Sequence, residues 1–306
     1  MVDSAKPDLQ LEPIARVETP PPDYSRVRTI VIIIAILVMV VLLWEGVKAF
    51  SKANNYALNV AGQTIDLANF NNTKLPHLGN IFNAFLEPAQ RNGPPLYHTL
   101  FAASLFTLGE AVLGFFMGGV LGFVLAIIFT HSSFMQRGLL PYVVASQTVP
   151  ILAIAPMVVV WMRQIELSAL AVPIIAAYLT FFPVTIYALR GFISVPPTEL
   201  ELMHSYAASS VQIFFKLRLP NALPQIFTAL KISATSSVVG AIIGELPSGI
   251  QDGLGGAILN FNQYYTQGPA RLWATIVAAA LVGILFFGVV AFAERLIVRW
   301  QVKESD

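Results

Sequence analysis

The sequence predicts an all-α integral membrane protein with six transmembrane helices, and three observations predict it. Of 306 residues, 56% are hydrophobic and 11% charged, with a mean hydropathy of +0.69, whereas a soluble domain carries about a quarter charged residues. Six stretches reach the roughly 20 apolar residues that a bilayer core requires. Prolines, asparagines and charges concentrate between them. A net charge of +1 gives no reason to expect a nucleic-acid partner. The absence of cysteine excludes disulfides, thiolate chemistry and cysteine metal sites.

Residues 1–28 are polar, acidic and proline-bearing (Pro20, Pro21, Pro22). They cannot bury enough apolar surface to fold alone and read as a disordered cytoplasmic tail rather than a signal peptide. Residues 29–50 form the first transmembrane helix, and 51–96 a long periplasmic loop rich in asparagine and proline. The core transmembrane domain follows over 97–300. Its spans are expected at 97–130, 139–162, 167–190, 226–248 and 272–298, the first of these long enough to tilt or project. Pro150 and Pro156 in the third span of the chain, and Pro173 and Pro183 in the fourth, predict kinks that neighbouring helices tolerate in a bundle. The largest inner loop is 191–225, the second outer loop is 249–271, and 301–306 form a cytoplasmic tail.

Orientation follows from the basic residues. With the amino terminus inside, Lys6, Arg16, Arg26, Arg28, Arg137, Arg190, Lys216, Arg218, Arg295, Arg299 and Lys303 face the cytoplasm. They outnumber Lys48, Lys52, Lys74, Arg91, Arg163 and Arg271 on the other side, so both termini are expected to be cytoplasmic.

No catalytic constellation appears. There is no phosphate-binding G-x-x-x-x-G-K-[ST], no H-E-x-x-H and no nucleophile elbow. The histidines (His77, His98, His131, His204) are scattered, so neither a catalytic residue nor a metal site is expected. Any ATP that drives the protein must be bound by another subunit.

Small residues recur at helix-packing intervals: Gly114, Gly118 and Gly122 in the second span, and Ser236, Gly240, Gly244 and Ser248 in the fifth. Such spacing lets helix backbones approach closely, either within the chain or against a partner. Two carboxylates interrupt apolar runs, and an ionisable group inside a membrane is a candidate functional residue. Glu245 either lines a pathway or caps a helix end before Pro247. Glu110 is either protonated or faces a wet groove. Ser146, Gln147 and Thr148 precede Pro150, where a kink frees backbone carbonyls and marks a cavity. Gln147 and Pro150 are therefore pathway candidates, with interhelical hydrogen bonding as the plainer reading of Gln147.

The inner loop is the most informative segment. Pro196, Pro197 and Thr198 signal a helix start, with Thr198 as N-cap and Glu201 completing a capping box. A short helix from Glu199 to about Tyr206 is expected, then a bend and second start at Ala207, Ala208 and Ser209. Val211, Phe214, Phe215 and Leu217 form a partly apolar face, with Lys216 and Arg218 left to solvent. Leu219 and Pro220 make the exit, and Pro220 and Pro224 redirect the chain into the fifth span. This helix–turn–helix resembles the E-A-A loop of binding-protein-dependent ABC transporter permeases. Glu201 matches the glutamate of that pattern, Ala207 stands at its glycine, and Leu217-Arg218-Leu219-Pro220 matches its exit. Leu202 and Met203 depart from its two alanines. An alanine at the glycine position calls for a bend without positive φ, or for strain. "SQTVPILAIAPMVVVW", "GLGGAILNFNQYY" and "AERLIVRW" extend the resemblance across about 97–300, to the nitrate/sulfonate/taurine-type branch.

The resemblance implies the type I importer permease fold, with a cytoplasmic coupling helix that docks into an ATPase subunit. It also implies a second, identical permease copy in a homodimer, a periplasmic substrate-binding protein, and membrane lipid around the bundle. ATP and magnesium would be bound by the ATPase subunit and no cofactor by this chain. The cargo would be a small anion or a heterocyclic vitamin or pyrimidine precursor. A secondary carrier or channel working without an ATPase is the alternative. Carriers often repeat their broken helices in both halves, and spans five and six show no counterpart to the prolines of spans three and four.

Overall fold

The computed structural model describes residues 25–60, 63–89 and 93–298. The expected tails lie outside these residues over 1–24 and 301–306. Two compact units divide the chain at Phe70. In the first, α1 (Ser25–Ala53) takes in residues 25–28, which read as tail in the sequence. Its large apolar side chains are exposed along the helix, from Val27 to Phe50, as suits a helix solvated by lipid. A hairpin follows, β1 (Ala57–Val60) pairing antiparallel with β2 (Gln63–Asp66). The Ser51 hydroxyl ties it to the helix end by donating to the Leu67 carbonyl at 3.0 Å.

The second unit contains α2 (Leu78–Leu86), α3 (Leu96–His131), α4 (Ser133–Ser146), α5 (Ile151–Gln164), α6 (Ala171–Ile193), α7 (Pro197–Ser205), α8 (Ser210–Ile213), α9 (Leu219–Ser248), α10 (Leu254–Gln263) and α11 (Pro269–Ile297). Among the described residues, five helices are long and apolar enough to cross a membrane, and α4 with α5 makes a sixth if that bent pair is one span. Both outer segments that read as loops carry a helix, α2 and α10.

The core is α6 held between α3 and α9. Lipid tails are as apolar as leucine, so helices in a membrane associate by close van der Waals contact rather than by escape from water. The glycines supply that contact. A β-carbon at Gly114 would lie 2.7 Å from the Pro173 carbonyl oxygen, and one at Gly122 would lie 3.0 Å from the Thr185 amide. One at Gly118 would overlap the Ala177 carbonyl. From the other side, Gly240 would bring a β-carbon to 2.7 Å from Ala176 Cα, and Gly244 to 3.2 Å from Val172. Both glycine stripes therefore face α6 within the chain.

Two expectations about proline need correction. The third span is a break, not a kink: α4 and α5 meet at 97°. Pro150 has φ −66 and ψ 114 at the head of α5, and a residue before proline is disfavoured in helical conformation. The opposite holds at Pro220 and Pro224, where no redirection occurs. The chain is helical from Ser210 to Ser248 without interruption, passing through a π-helical turn over Phe214–Arg218. There the Leu219 N–H reaches back five residues to the Phe214 carbonyl. That wider turn accommodates the N–H that Pro220 lacks.

Candidate functional site

Three places concentrate the residues singled out by sequence. The first is the loop between α6 and α9. Its base is pinned: a β-carbon at Gly191 would sit 2.8 Å from that of Ala222, and Asn221 Nδ2 donates to Ser194 Oγ at 2.9 Å. From this base α7 projects with none of its residues buried. Glu201 and Ser209 are exposed and Ala208 is half-buried.

The capping differs from expectation. Proline occupies the first helical position at 197, so Thr198 falls inside the helix and Pro196 stands at the N-cap with no side-chain bond. The capping box belongs to α8 instead. The Ser209 hydroxyl accepts from the Gln212 N–H, and the Gln212 side chain accepts from the Ser209 N–H at 2.8 Å. The S-x-x-Q spacing carried that signal in the sequence. The bend is made by Ala207 at φ 53, in the left-handed region.

The expected apolar face also separates. Phe214 is buried in the bundle end beside Phe129, Ala188 and Leu189, with its ring 5.1 Å from Phe192 and 5.6 Å from His131. Val211 and Phe215 are exposed, as are Leu202 and Tyr206 on the other limb. Lys216 is exposed, while Leu219 and Pro220 are half-buried in the helical run into α9.

The second place is the α4–α5 break. Ser146 Oγ donates to the Val143 carbonyl and Thr148 Oγ1 to the Ala145 carbonyl, both at 2.7 Å. The Tyr178 hydroxyl of α6 donates to the Ser146 carbonyl. These bonds satisfy carbonyls that the helix end leaves open. Gln147 lies at the turn itself, its Nε2 buried and without a hydrogen-bond partner among the described residues. An unsatisfied buried amide costs about 1–3 kcal/mol, so this donor is available to whatever occupies the break.

The third place surrounds Glu245, which is fully buried on α9. One carboxylate oxygen accepts the Thr107 hydroxyl of α3 at 2.6 Å, and the other accepts the Gly255 N–H of α10 at 2.5 Å. Glu110 of α3 lies near the same carboxyl, and its Oε2 is buried without a hydrogen-bond partner among the described residues. The two interrupting carboxylates therefore belong to one cluster. No local sequence signal marks Thr107, Gly253 or Gly255 as companions of Glu245, since only the tertiary fold brings them together. Among the described residues, Gln147 and Glu245 share no hydrogen-bond partner.

Sequence reading also left Lys231 unassigned. Its ammonium bonds both carboxylate oxygens of Glu294 on α11, at 2.8 and 3.1 Å.

Residues 118–299 match the family model described as the binding-protein-dependent transport system inner membrane component. The chain is similar to a formylaminopyrimidine transport permease of Halalkalibacterium halodurans, 32% identical over 198 residues, or 65% of this chain and 77% of the relative. It is 27% identical to a riboflavin transport system permease of Chloroflexus aurantiacus over 67% of this chain and 74% of that one. It is 28% identical to a nitrate import permease of a Synechocystis species over 64% and 70%.

Proposed function

Since the chain belongs to the family of binding-protein-dependent transport system inner membrane components, we propose that it forms the translocation pathway of an ATP-driven importer and is driven through the α7–α8 loop. The observation that carries this reading is the loop's construction. Its α8 limb carries a capping box and its base is pinned, yet no residue of α7 is fully buried in its own chain. Leu202, Tyr206, Val211 and Phe215 offer apolar surface to a partner, and Glu201 and Lys216 supply charges around it. An ATPase subunit is the partner this surface suits, and it would hold the ATP and magnesium. That assignment sets the loop in the cytoplasm, with both termini on the same side of a bacterial inner membrane. A second copy of the chain in a homodimer completes the pathway, membrane lipid surrounds the pair, and a periplasmic binding protein delivers cargo to the face bearing α10.

The cargo we infer is a small, uncharged heterocyclic solute. Away from the helix ends, the cation described in the second unit's long helices is Lys231, and Glu294 neutralises it. An anion would find carboxyls at Glu110 and Glu245 and, among the described residues, no free positive charge bonded to them. A heterocycle with hydrogen-bonding edges suits the unpartnered Gln147 amide at the break. Uptake by the reconstituted importer tests this: pyrimidine or flavin precursors should compete for uptake and nitrate should not. Competition by nitrate alone would overturn the cargo assignment. Gln147→Ala should lower the transport rate or alter the order of competitors, and an unchanged rate and order would remove Gln147 from the pathway.

A further inference from the structure

The N-terminus of α10 is capped by other helices. A helix begins with N–H groups that have no partner inside it, and a side chain at the N-cap ordinarily takes one of them. Gly253, at the N-cap of α10, has no side chain to offer, and a β-carbon there would overlap the Glu245 carboxyl. The first two N–H groups are taken from outside instead. Leu254 donates to Thr107 Oγ1 at 2.9 Å and Gly255 donates to Glu245 at 2.5 Å. Thr107 in turn donates to Glu245 at 2.6 Å, so the three helices α3, α9 and α10 meet at one carboxylate. Glu110 lies one turn along α3 from Thr107 and closes the cluster.

We propose that this cluster is a clasp and α10 a gate leaf, with Glu245 as the positioning residue that makes α10 follow α9. The helical run from Ser210 to Ser248 is one rod of 39 residues, roughly 58 Å long at 1.5 Å per residue. Its first turns belong to the exposed loop, and Glu245 lies within the last turn. A displacement of the loop therefore reaches α10 through covalent helix and one buried carboxylate. The leaf forms a wall of a cleft of about 370 Å³ lined by Thr99 and Ala103 of α3 and by Gln251, Asp252, Asn260 and Phe261. Swinging α10 changes the width of that cleft. The coupling half of the proposal rests on the importer reading, whereas the clasp half does not.

The chain contains no cysteine, so Thr99→Cys and Asn260→Cys place two unique spin labels on exposed positions across the cleft. In phospholipid nanodiscs, the chain without partners should show one short interspin population. Glu245→Ala should shift it to longer, broader distances, with the closed fraction reduced several-fold by loss of the bonds from Thr107 and Gly255. Thr107→Val should lengthen it, and this variant decides if Glu245→Ala fails to insert. A short distance retained in both Glu245→Ala and Thr107→Val would overturn the clasp. With the ATPase subunit, ATP and vanadate added, the wild-type distance should move and that of Glu245→Ala should not respond. A wild-type distance that stays fixed while ATP is hydrolysed would overturn the coupling. Failure of the ATPase to assemble on the chain would count against the importer reading and leave the clasp decided by the first measurement.

Discussion

Ala207 holds the turn of the loop at φ 53, a conformation that costs an alanine about 1–2 kcal/mol and a glycine almost nothing. Ala207→Gly should relieve that cost, offset in part by the greater freedom of glycine in the unfolded chain. The net expectation is a gain of up to about 1 kcal/mol, read as up to about five-fold slower amide exchange over residues 205–213. Faster exchange would show that the alanine is not strained. The same residue marks the limit of reading by sequence. The position of the turn was legible from the resemblance, but whether the backbone would strain or find another bend was not. Thr198 failed as a cap because Pro197 already occupied the first helical position. Glu245 is a similar case: its isolation in an apolar run was visible, and the glycine that admits it at 253 was not.

At the scale of elements, hydropathy located the membrane spans, because length and composition decide them. It did not decide what their prolines would do. Pro150 separates two helices at 97°, whereas Pro220 and Pro224 are carried inside a continuous one, Pro220 just after the π turn over Phe214–Arg218. The Lys231–Glu294 bond ties α9 to α11, and both side chains are largely shielded, at 22% and 23% exposure. Removing one partner leaves a charge in an apolar setting. Lys231→Ala should therefore destabilise the detergent-solubilised protein by roughly 1–3 kcal/mol. The double exchange Lys231→Glu with Glu294→Lys should recover much of that loss. Thermal melting of the single and double variants measures it, and additive losses would mean that the pair contributes no coupling.

The whole molecule combines a tightly packed centre with a lightly held periphery. The glycine stripes press α3 and α9 onto α6, while no residue of α7 is fully buried. Damage to the loop should therefore leave the bundle standing. Glu201→Arg, or a bulky charged residue at Ala207, should abolish ATP-driven uptake with no change in membrane insertion. Full uptake and normal co-purification of the ATPase in these variants would reject the loop as the docking element. The sequence made the loop legible through local signals spaced along a few turns. It could not show how exposed α7 would be, since that depends on what the remaining helices leave uncovered.

The π turn over Phe214–Arg218 has a consequence for angular phase. An α-helix advances by about 100° per residue, so the extra residue of the wide turn sets how the loop is rotated about the axis of α9. With one residue fewer, the rod would heal into ordinary helix and the loop would turn by about that angle. Phe214 would then swing away from Phe192, giving up roughly 1.5–3 kcal/mol of buried aromatic surface. The ring thus acts as an index mark: it admits one rotational setting between the part that receives force and the part that delivers it.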